Sequence, residues 1–294
     1  MKYIDFCDES LSQLVLGTYG FCERTDEAAA FDIMNLYVEN GGNVIDTARS
    51  YAHGRAEEVV GRFIKERGLK DKIFISTKCS FPIGDDMHVS RLTPEEIEAD
   101  IDASLLALGV DTIDMLWLHR DDERKGVRHM IDALNDMVQK GKIRNFGASN
   151  WTFERIDTAN RYAYESGRDG FMASQVHYNL ATPTTVWDDT LVILDEAEKK
   201  RYENEGFPLF AYTPLAKGFF EKYAEGILSL KAKERYLCEK TVKTYAMIKA
   251  EADKTGDTIS HTNLRLLTES YNGDLFPVVG ASSVKQLKSI LNIK

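Results

Sequence analysis

Short runs of Val, Ile, Leu and Phe recur along this chain without alternating with polar residues. They occupy residues 14–18, 43–47, 73–78, 115–119, 143–149, 172–176, 209–212 and 277–281. Runs of that kind predict strands covered on both faces. Between them, apolar positions return every three or four residues, the spacing of an amphipathic helix. Thr93-Pro94-Glu95-Glu96 predicts a helix start, because the Thr hydroxyl and the Glu96 carboxylate satisfy orphan backbone donors and Pro suits the first helical position. Ile97, Ile101, Leu105 and Leu108 follow on one face, and Gly109 is placed to cap the end. Similar punctuation predicts helices over 26–39, stopped by Gly41-Gly42, and over 56–66, stopped by Gly68. Eight strands alternating with helices predict an α/β fold with a parallel sheet. The count of eight favours a closed (β/α)8 TIM barrel, one domain over 1–294. The gap 218–276 predicts a loop and two or three helices, with 231–252 and 258–270 the best helical stretches and 219–226 a mobile flap over a ligand. A last helix is predicted over 283–291.

Charge narrows the partners. The 294 residues carry 37 Lys+Arg against 47 Asp+Glu, a net charge of −10, which argues against nucleic acid and anionic membranes while leaving room for a local phosphate pocket. No apolar run approaches the ~20 residues that span a bilayer. The first residues, Met1-Lys2-Tyr3-Ile4-Asp5, lack a signal-peptide layout. Cys7, Cys22, Cys79 and Cys238 are scattered without a Cys-x-x-Cys pair, as expected for reduced thiols in a cytoplasmic protein. His53, His129, His177 and His261 have no metal-ligand spacing, so no metal is expected. Neither Gly-x-Gly-x-x-Gly nor Gly-x-x-x-x-Gly-Lys occurs, so neither a Rossmann nor a P-loop nucleotide site is indicated. The oligomeric state is left open.

The chemistry gathers at strand ends, where a barrel enzyme keeps its active site. Asp46-Thr47-Ala48-Arg49-Ser50-Tyr51, Ser76-Thr77-Lys78, Leu116-Trp117-Leu118-His119 and Gly147-Ala148-Ser149-Asn150 each follow or finish an apolar run. A carbonyl that accepts hydride needs a proton as its oxygen becomes an alkoxide. A phenol near pKa ~10 is a poor acid–base group at neutral pH, but a neighbouring ammonium stabilises the phenolate. Lys78 is the candidate ammonium, Asp46 holds it charged and aimed, Tyr51 is the acid, and a neutral His119 donates to the carbonyl oxygen. Taken singly, Asp46 reads as a loop cap and His119 as a packed barrel histidine; the set of four favours catalysis.

These residues resemble the aldo-keto reductase superfamily, and the resemblance runs from Leu14-Val15-Leu16-Gly17-Thr18 to Gly280-Ala281-Ser282-Ser283. It implies NADP(H)-dependent reduction of aldehyde or ketone carbonyls, the alcohol dehydrogenase direction being possible too, by an Asp46/Tyr51/Lys78/His119 tetrad. Ser149, Asn150 and Gln175 correspond to residues that hold the nicotinamide carboxamide, and Tyr212 to the aromatic residue that stacks on the ring. The following Thr213, Pro214 and Leu215, through Gly218, correspond to the pyrophosphate loop. Gly17, Thr18, Asp46, Gly280, Ser282, Ser283 and Gln286 complete the implied cofactor contacts. Gln286 stands where many members have Arg, and Ser289-Ile290 where they have Glu-Asn, which leaves Ser282, Ser283 and Lys285 as candidates for the adenosine end and NAD(H) open as the cofactor. The chain ends soon after the last helix, so an open substrate pocket is expected, walled by Tyr19, Phe81, His88, Trp117 and Trp151. An aromatic wall suits small carbonyl compounds.

Two other readings compete. Potassium-channel beta subunits resemble the same family and use the cofactor mainly as a redox sensor, so a weakly catalytic NADP-binding regulatory protein is the first alternative. A cofactor-free barrel isomerase or lyase is the second.

Overall fold

The computed structural model describes residues 1–293. Eight strands, β3 (Val15–Gly17), β4 (Val44–Asp46), β5 (Phe74–Cys79), β6 (Ile113–Leu118), β7 (Ile143–Ser149), β8 (Ser174–His177), β9 (Leu209–Tyr212) and β10 (Leu275–Val279), close a barrel in chain order, with β10 beside β3. Each neighbouring pair is parallel. All eight apolar runs are strands, as the pattern predicts. The eighth run begins two residues early, at Leu275, because Pro277 sits inside the ladder opposite Ala211 instead of opening it. The sixth is displaced the other way, to Ser174–His177, which brings His177 into the sheet.

Helices fill the gaps. They are α1 (Glu27–Glu39), α2 (Arg55–Glu66), α3 (Pro94–Leu108), α4 (Arg128–Gln139), α5 (Phe153–Glu165), α6 (Glu196–Glu205), α7 (Phe219–Ala224), α8 (Leu230–Tyr236), α9 (Glu239–Thr255), α10 (Ile259–Glu269) and α11 (Val284–Leu291). Thr93 and Glu96 form the expected capping box on α3, and Gly109 ends that helix in the left-handed conformation. Asp26, Thr258 and Ser283 cap α1, α10 and α11 through their side chains.

Three departures are informative. The N-terminal hairpin β1 (Tyr3–Phe6) and β2 (Glu9–Ser12) has no counterpart in the sequence expectations. Its turn uses Cys7 (φ 52°) and Asp8 (φ 61°), two left-handed residues in succession without a glycine to announce them. Phe6 meets Phe210 and Phe276 edge-on at 5.6 and 5.7 Å, so the hairpin seals the barrel floor. The single helix expected over 231–252 is two, because Leu237 and Cys238 are extended and Tyr236 turns inward against Phe219. The expected flap 219–226 is the packed helix α7, whose Phe219 and Phe220 are fully buried beside Ile248.

Candidate active site

Strand alternation decides which side chains enter the barrel. On β5, Phe74, Ser76 and Lys78 face inward. Ile75 and Cys79 join the outer core under the helices, and Thr77 donates to Glu57 of α2 at 2.7 Å. The same parity puts Val44 and Asp46 inside on β4, Met115 and Trp117 on β6, Gln175 and His177 on β8, and Phe210 and Tyr212 on β9. The inner face is therefore apolar at the floor (Val15, Val44, Phe74, Met115, Phe210, Phe276) and polar at the strands' C-terminal ends. One period-two pattern thus builds both the core and the site.

Asp46 is the hub of the polar layer. Its Oδ2 accepts from Lys78 Nζ at 2.5 Å, and its Oδ1 accepts from Ser76 Oγ at 2.8 Å and Gln175 Nε2 at 3.0 Å. Lys78 also donates to the Thr47 carbonyl at 2.7 Å. Both side chains are almost inaccessible, at 1% for Lys78 and 3% for Asp46. Burial opposes the Lys78 charge, but Asp46 and then Tyr51 outweigh it, and its pKa rises above the ordinary lysine value.

Tyr51 arrives on a loop that continues the β4–β5 ladder: Thr47 and Arg49 donate backbone hydrogen bonds to the Ser76 and Lys78 carbonyls. It opens a tight turn, Tyr51–Gly54, with Ala52 and His53 left-handed (φ 47° and 56°). Gly54 (φ 89°) follows under the Arg49 guanidinium, where a Cβ would lie 2.0 Å from Nη2; only glycine fits both constraints. Arg49 is tied in turn to the fully buried Glu57 at 2.7 Å. The turn places the Tyr51 ring with Lys78 Nζ 4.9 Å from its centroid and the His119 ring at 6.0 Å. Asp46, Tyr51, Lys78 and His119 are thus brought together as the sequence predicts.

The electrostatics differ from the expectation at one point. Burial raises the Tyr51 phenol, and this exceeds the lowering by Lys78, so the net direction is upward. The group stays protonated through neutral pH. His119 is driven well below the ordinary histidine value by burial, with Arg120 and Lys78 adding to it, so its ring is neutral. Its Nδ1 has no partner.

The residues expected at a cofactor flank this tetrad. The Thr18 backbone N–H donates to the Asp46 carbonyl at 2.9 Å, and its buried hydroxyl has no partner; Gly17 ends β3 just before it. Asn150 is left-handed (φ 59°), and its amide donates to the His119 carbonyl and Ser149 Oγ, both at 3.2 Å. Tyr212 closes the circle by donating to Asn150 Oδ1 at 2.6 Å. After Tyr212 the chain coils through Thr213, Ala216, Lys217 and Gly218 with positive φ (57°, 48°, 58° and 75°), turning over Pro214 and Leu215. At the neighbouring rim, after β10 and Gly280, Gln286 Oε1 accepts from both the N–H and the hydroxyl of Ser282, and the Ser283 hydroxyl accepts from the Gln286 N–H.

Of the expected pocket walls, Tyr19 lies at the mouth, 5.2 Å from the Tyr51 ring, and Phe81 lies 4.7 Å from the His119 ring. His88 sits on the outer rim, its Nε2 3.3 Å from Asp189. Trp117 and Trp151 are not walls, since both are fully buried. Trp117 points into the barrel but one layer down, where it is the neighbour of Lys78 in the ladder and donates to Ser76 Oγ at 2.6 Å. It supports the hydroxyl that supports Asp46. Trp151 turns outward after Asn150 and packs against Phe171 at 5.1 Å under the Arg155 guanidinium.

Several residues at the mouth escaped the sequence reading. Arg120, directly after His119, donates to the His119 carbonyl at 2.9 Å and to Thr190 Oγ1 at 3.1 Å. His177, from β8, bonds Tyr236 Oη at 3.1 Å and lies 5.6 Å from the Tyr212 ring. The pKa of Lys217 is lowered first by partial burial and then by Arg235, Arg24, Lys231 and Lys222, which marks a cluster of five cations beside the coiled turn. Among the described residues, no group of His, Cys, Asp and Glu is arranged to hold a metal, and no helix is long and apolar enough to cross a membrane.

Comparison with known proteins agrees with this geometry. The family model for the aldo/keto reductases matches residues 13–294. An Arabidopsis thaliana protein carrying a voltage-gated potassium channel beta-subunit name is 30% identical, over 82% of this chain and 74% of its own. A Schizosaccharomyces pombe protein carrying an aryl-alcohol dehydrogenase name is 26% identical, over 96% and 87%. An aldo-keto reductase of Metarhizium robertsii is 27% identical, over 90% and 77%. The barrel, the strand-end site and the match over nearly its whole length lead to one conclusion: the chain belongs to the aldo/keto reductase family of oxidoreductases.

Proposed function

We propose that this protein reduces the carbonyl group of small aldehydes or ketones with a nicotinamide dinucleotide, using Asp46, Tyr51, Lys78 and His119. The observation that carries the reading is the buried Asp46–Lys78 pair under the Tyr51 ring, beside a neutral His119. A paired ammonium that no solvent reaches has little to offer stability. It has much to offer a phenol that must release its proton.

The residues around the tetrad fit the cofactor. Ser149, Asn150 and Gln175 offer side-chain amides and a hydroxyl for the carboxamide, and Tyr212 offers a ring at the end of β9. The coiled backbone of 213–218, with the cations around Lys217, suits a pyrophosphate. For the adenosine end, the family resemblance points to Ser282, Ser283 and Gln286, which offer hydroxyls and an amide in place of a guanidinium. NADP(H) is the cofactor the family resemblance favours, with NAD(H) as its competitor. Bound there, the reduced nicotinamide supplies the hydride that adds to the carbonyl carbon. As the C=O π pair moves onto oxygen, Tyr51 Oη gives that oxygen its proton, and His119 offers a ring N–H to the same atom. The phenolate left behind is stabilised by Lys78, which Asp46 keeps charged, and regains its proton from solvent. Ser76 and Trp117 hold Asp46 in place from below.

The similarity to a protein named as a potassium channel beta subunit favours a second reading, in which the same site holds the nucleotide tightly, turns over slowly and reports redox state to a partner. Calorimetric titration with NADPH and with NADH tests the shared part of both readings; no heat from either nucleotide removes both. Multiple turnovers on aromatic and aliphatic aldehydes then favour the reductase, whereas tight nucleotide retention without turnover favours the sensor.

A further inference from the structure

Arg120 has an unusual position for a guanidinium. It is 8% exposed and stands next in the chain to the tetrad histidine. Its Nη1 is fixed on the His119 carbonyl at 2.9 Å, the same oxygen that Asn150 holds, and its Nε on Thr190 Oγ1 at 3.1 Å. Its Cζ stacks 5.2 Å over the Phe81 ring, whose centroid is 4.7 Å from that of His119, so guanidinium and imidazole flank one aromatic wall. Both bonded partners are neutral oxygens. The carboxylate in range is Asp188, 3.8 Å from Nη2, and its Oδ1 already accepts the Thr190 N–H and hydroxyl. A guanidinium carries five N–H donors in a fixed fork matched to a carboxylate. Two are spent on neutral groups, and the Nη2 edge has only this long ion pair. Burial lowers the Arg120 pKa, against the polar side chains of Tyr212, Asp188 and Tyr51 nearby, of which only Asp188 carries a charge at neutral pH.

A buried charge so weakly paired is costly unless a ligand completes it. We propose that Arg120 is the substrate's anion subsite, so that the preferred substrates are oxo-acids: aldehydes or ketones bearing a carboxylate, held by the Arg120 fork while His119 and Tyr51 hold the carbonyl oxygen. This rests on the reductase reading above. It goes further by naming a substrate class and a specificity-determining residue outside the tetrad.

The test compares 4-carboxybenzaldehyde with its neutral methyl ester, methyl 4-formylbenzoate, on the unmodified protein, on Arg120→Gln and on Arg120→Lys, all with the same reduced nucleotide. The unmodified protein is expected to favour the acid. Arg120→Gln should lose about 10- to 100-fold in kcat/KM on the acid, chiefly through KM, and less than about threefold on the ester. Arg120→Lys should recover part of the loss, since it keeps the charge and loses the fork. Equal turnover of acid and ester by the unmodified protein overturns the proposal, and so does an equal loss on both by Arg120→Gln, the signature of a merely structural role. Ester turnover by the variants doubles as the check that they fold. If the unmodified protein reduces neither compound, this inference falls, and the reductase reading falls with it only when the aliphatic aldehydes are not turned over either.

Discussion

Replacing Asp46 by Asn tests the electrostatics of the site through stability alone, with no substrate. The Lys78 ammonium is 1% exposed and Asp46 is its 2.5 Å partner; without the carboxylate charge it keeps neutral partners alone, the Thr47 carbonyl at 2.7 Å, the Tyr51 hydroxyl and the new amide oxygen. Breaking a buried pair from one side costs about 3–5 kcal/mol, because the surviving charge is left uncompensated. Ser76 and Gln175 donate to Oδ1, and an asparagine oxygen still accepts from one of them, so the loss belongs mainly to the missing charge. The sign with pH follows from the two states of Lys78. In the unmodified protein its folded pKa lies above 10.5, so the pair's contribution is fully present below that pH and is lost as pH rises through the folded value. In Asp46→Asn, burial acts without its main opponent and the folded pKa drops below the unfolded one. Stability is then lost as pH falls, and the deficit is larger at pH 7 than at pH 10. Adding Lys78→Met to Asp46→Asn removes the stranded charge and should restore most of the loss. Urea unfolding, followed by tryptophan emission and far-UV dichroism, measures all three proteins. A deficit under about 1 kcal/mol, the scale of an exposed ion pair, refutes the reasoning. So does a double variant no more stable than Asp46→Asn.

Two other outcomes are expected. Because burial, Arg120 and Lys78 hold His119 neutral, kcat/KM for reduction should be flat from pH 6 to pH 8, with any decline confined to alkaline pH where Tyr51 deprotonates; a histidine-like inflection near pH 6.5 contradicts the assignment. Gln286→Arg should tighten NADPH relative to NADH by about 10- to 100-fold, the scale of a charge-assisted bidentate contact, and titration with both nucleotides measures it. An unchanged ratio places the adenosine end elsewhere.

Much of this architecture was legible in the chain because the barrel needs eight strands buried on both faces, and such strands are written as short runs rich in Val, Ile, Leu and Phe without regular polar alternation. The tetrad was legible because each member sits at or just past the end of one run. What escaped was depth and direction. Parity says that Trp117 points inward, but only its hydrogen bond to Ser76 Oγ and its contact with Phe210 of the floor show that it lies beneath the site. Trp151 follows a left-handed Asn150, and that one turn sends it to the outer core. The β1–β2 hairpin is two four-residue strands joined by left-handed Cys7 and Asp8, with neither length nor glycine to reveal it. Arg120 was hidden by the motif itself, since His119 explained the segment and nothing in the pattern shows that the next residue folds in to 8% exposure. The Tyr51 phenol shows why a pairwise argument falls short: Lys78 does lower its pKa, and burial raises it more.

The most direct test of the central claim is Tyr51→Phe, read in two ways on one preparation: nucleotide affinity by calorimetry and hydride transfer in a single turnover with excess aldehyde. Removing the hydroxyl leaves the ring, the Asp46–Lys78 pair and the cofactor residues in place. The account predicts a dissociation constant unchanged within about threefold and a transfer rate lower by about 10²- to 10⁴-fold, the usual worth of a positioned general acid. A transfer rate equal to that of the unmodified protein contradicts it, because the proton then comes from elsewhere and the tetrad is not the catalyst.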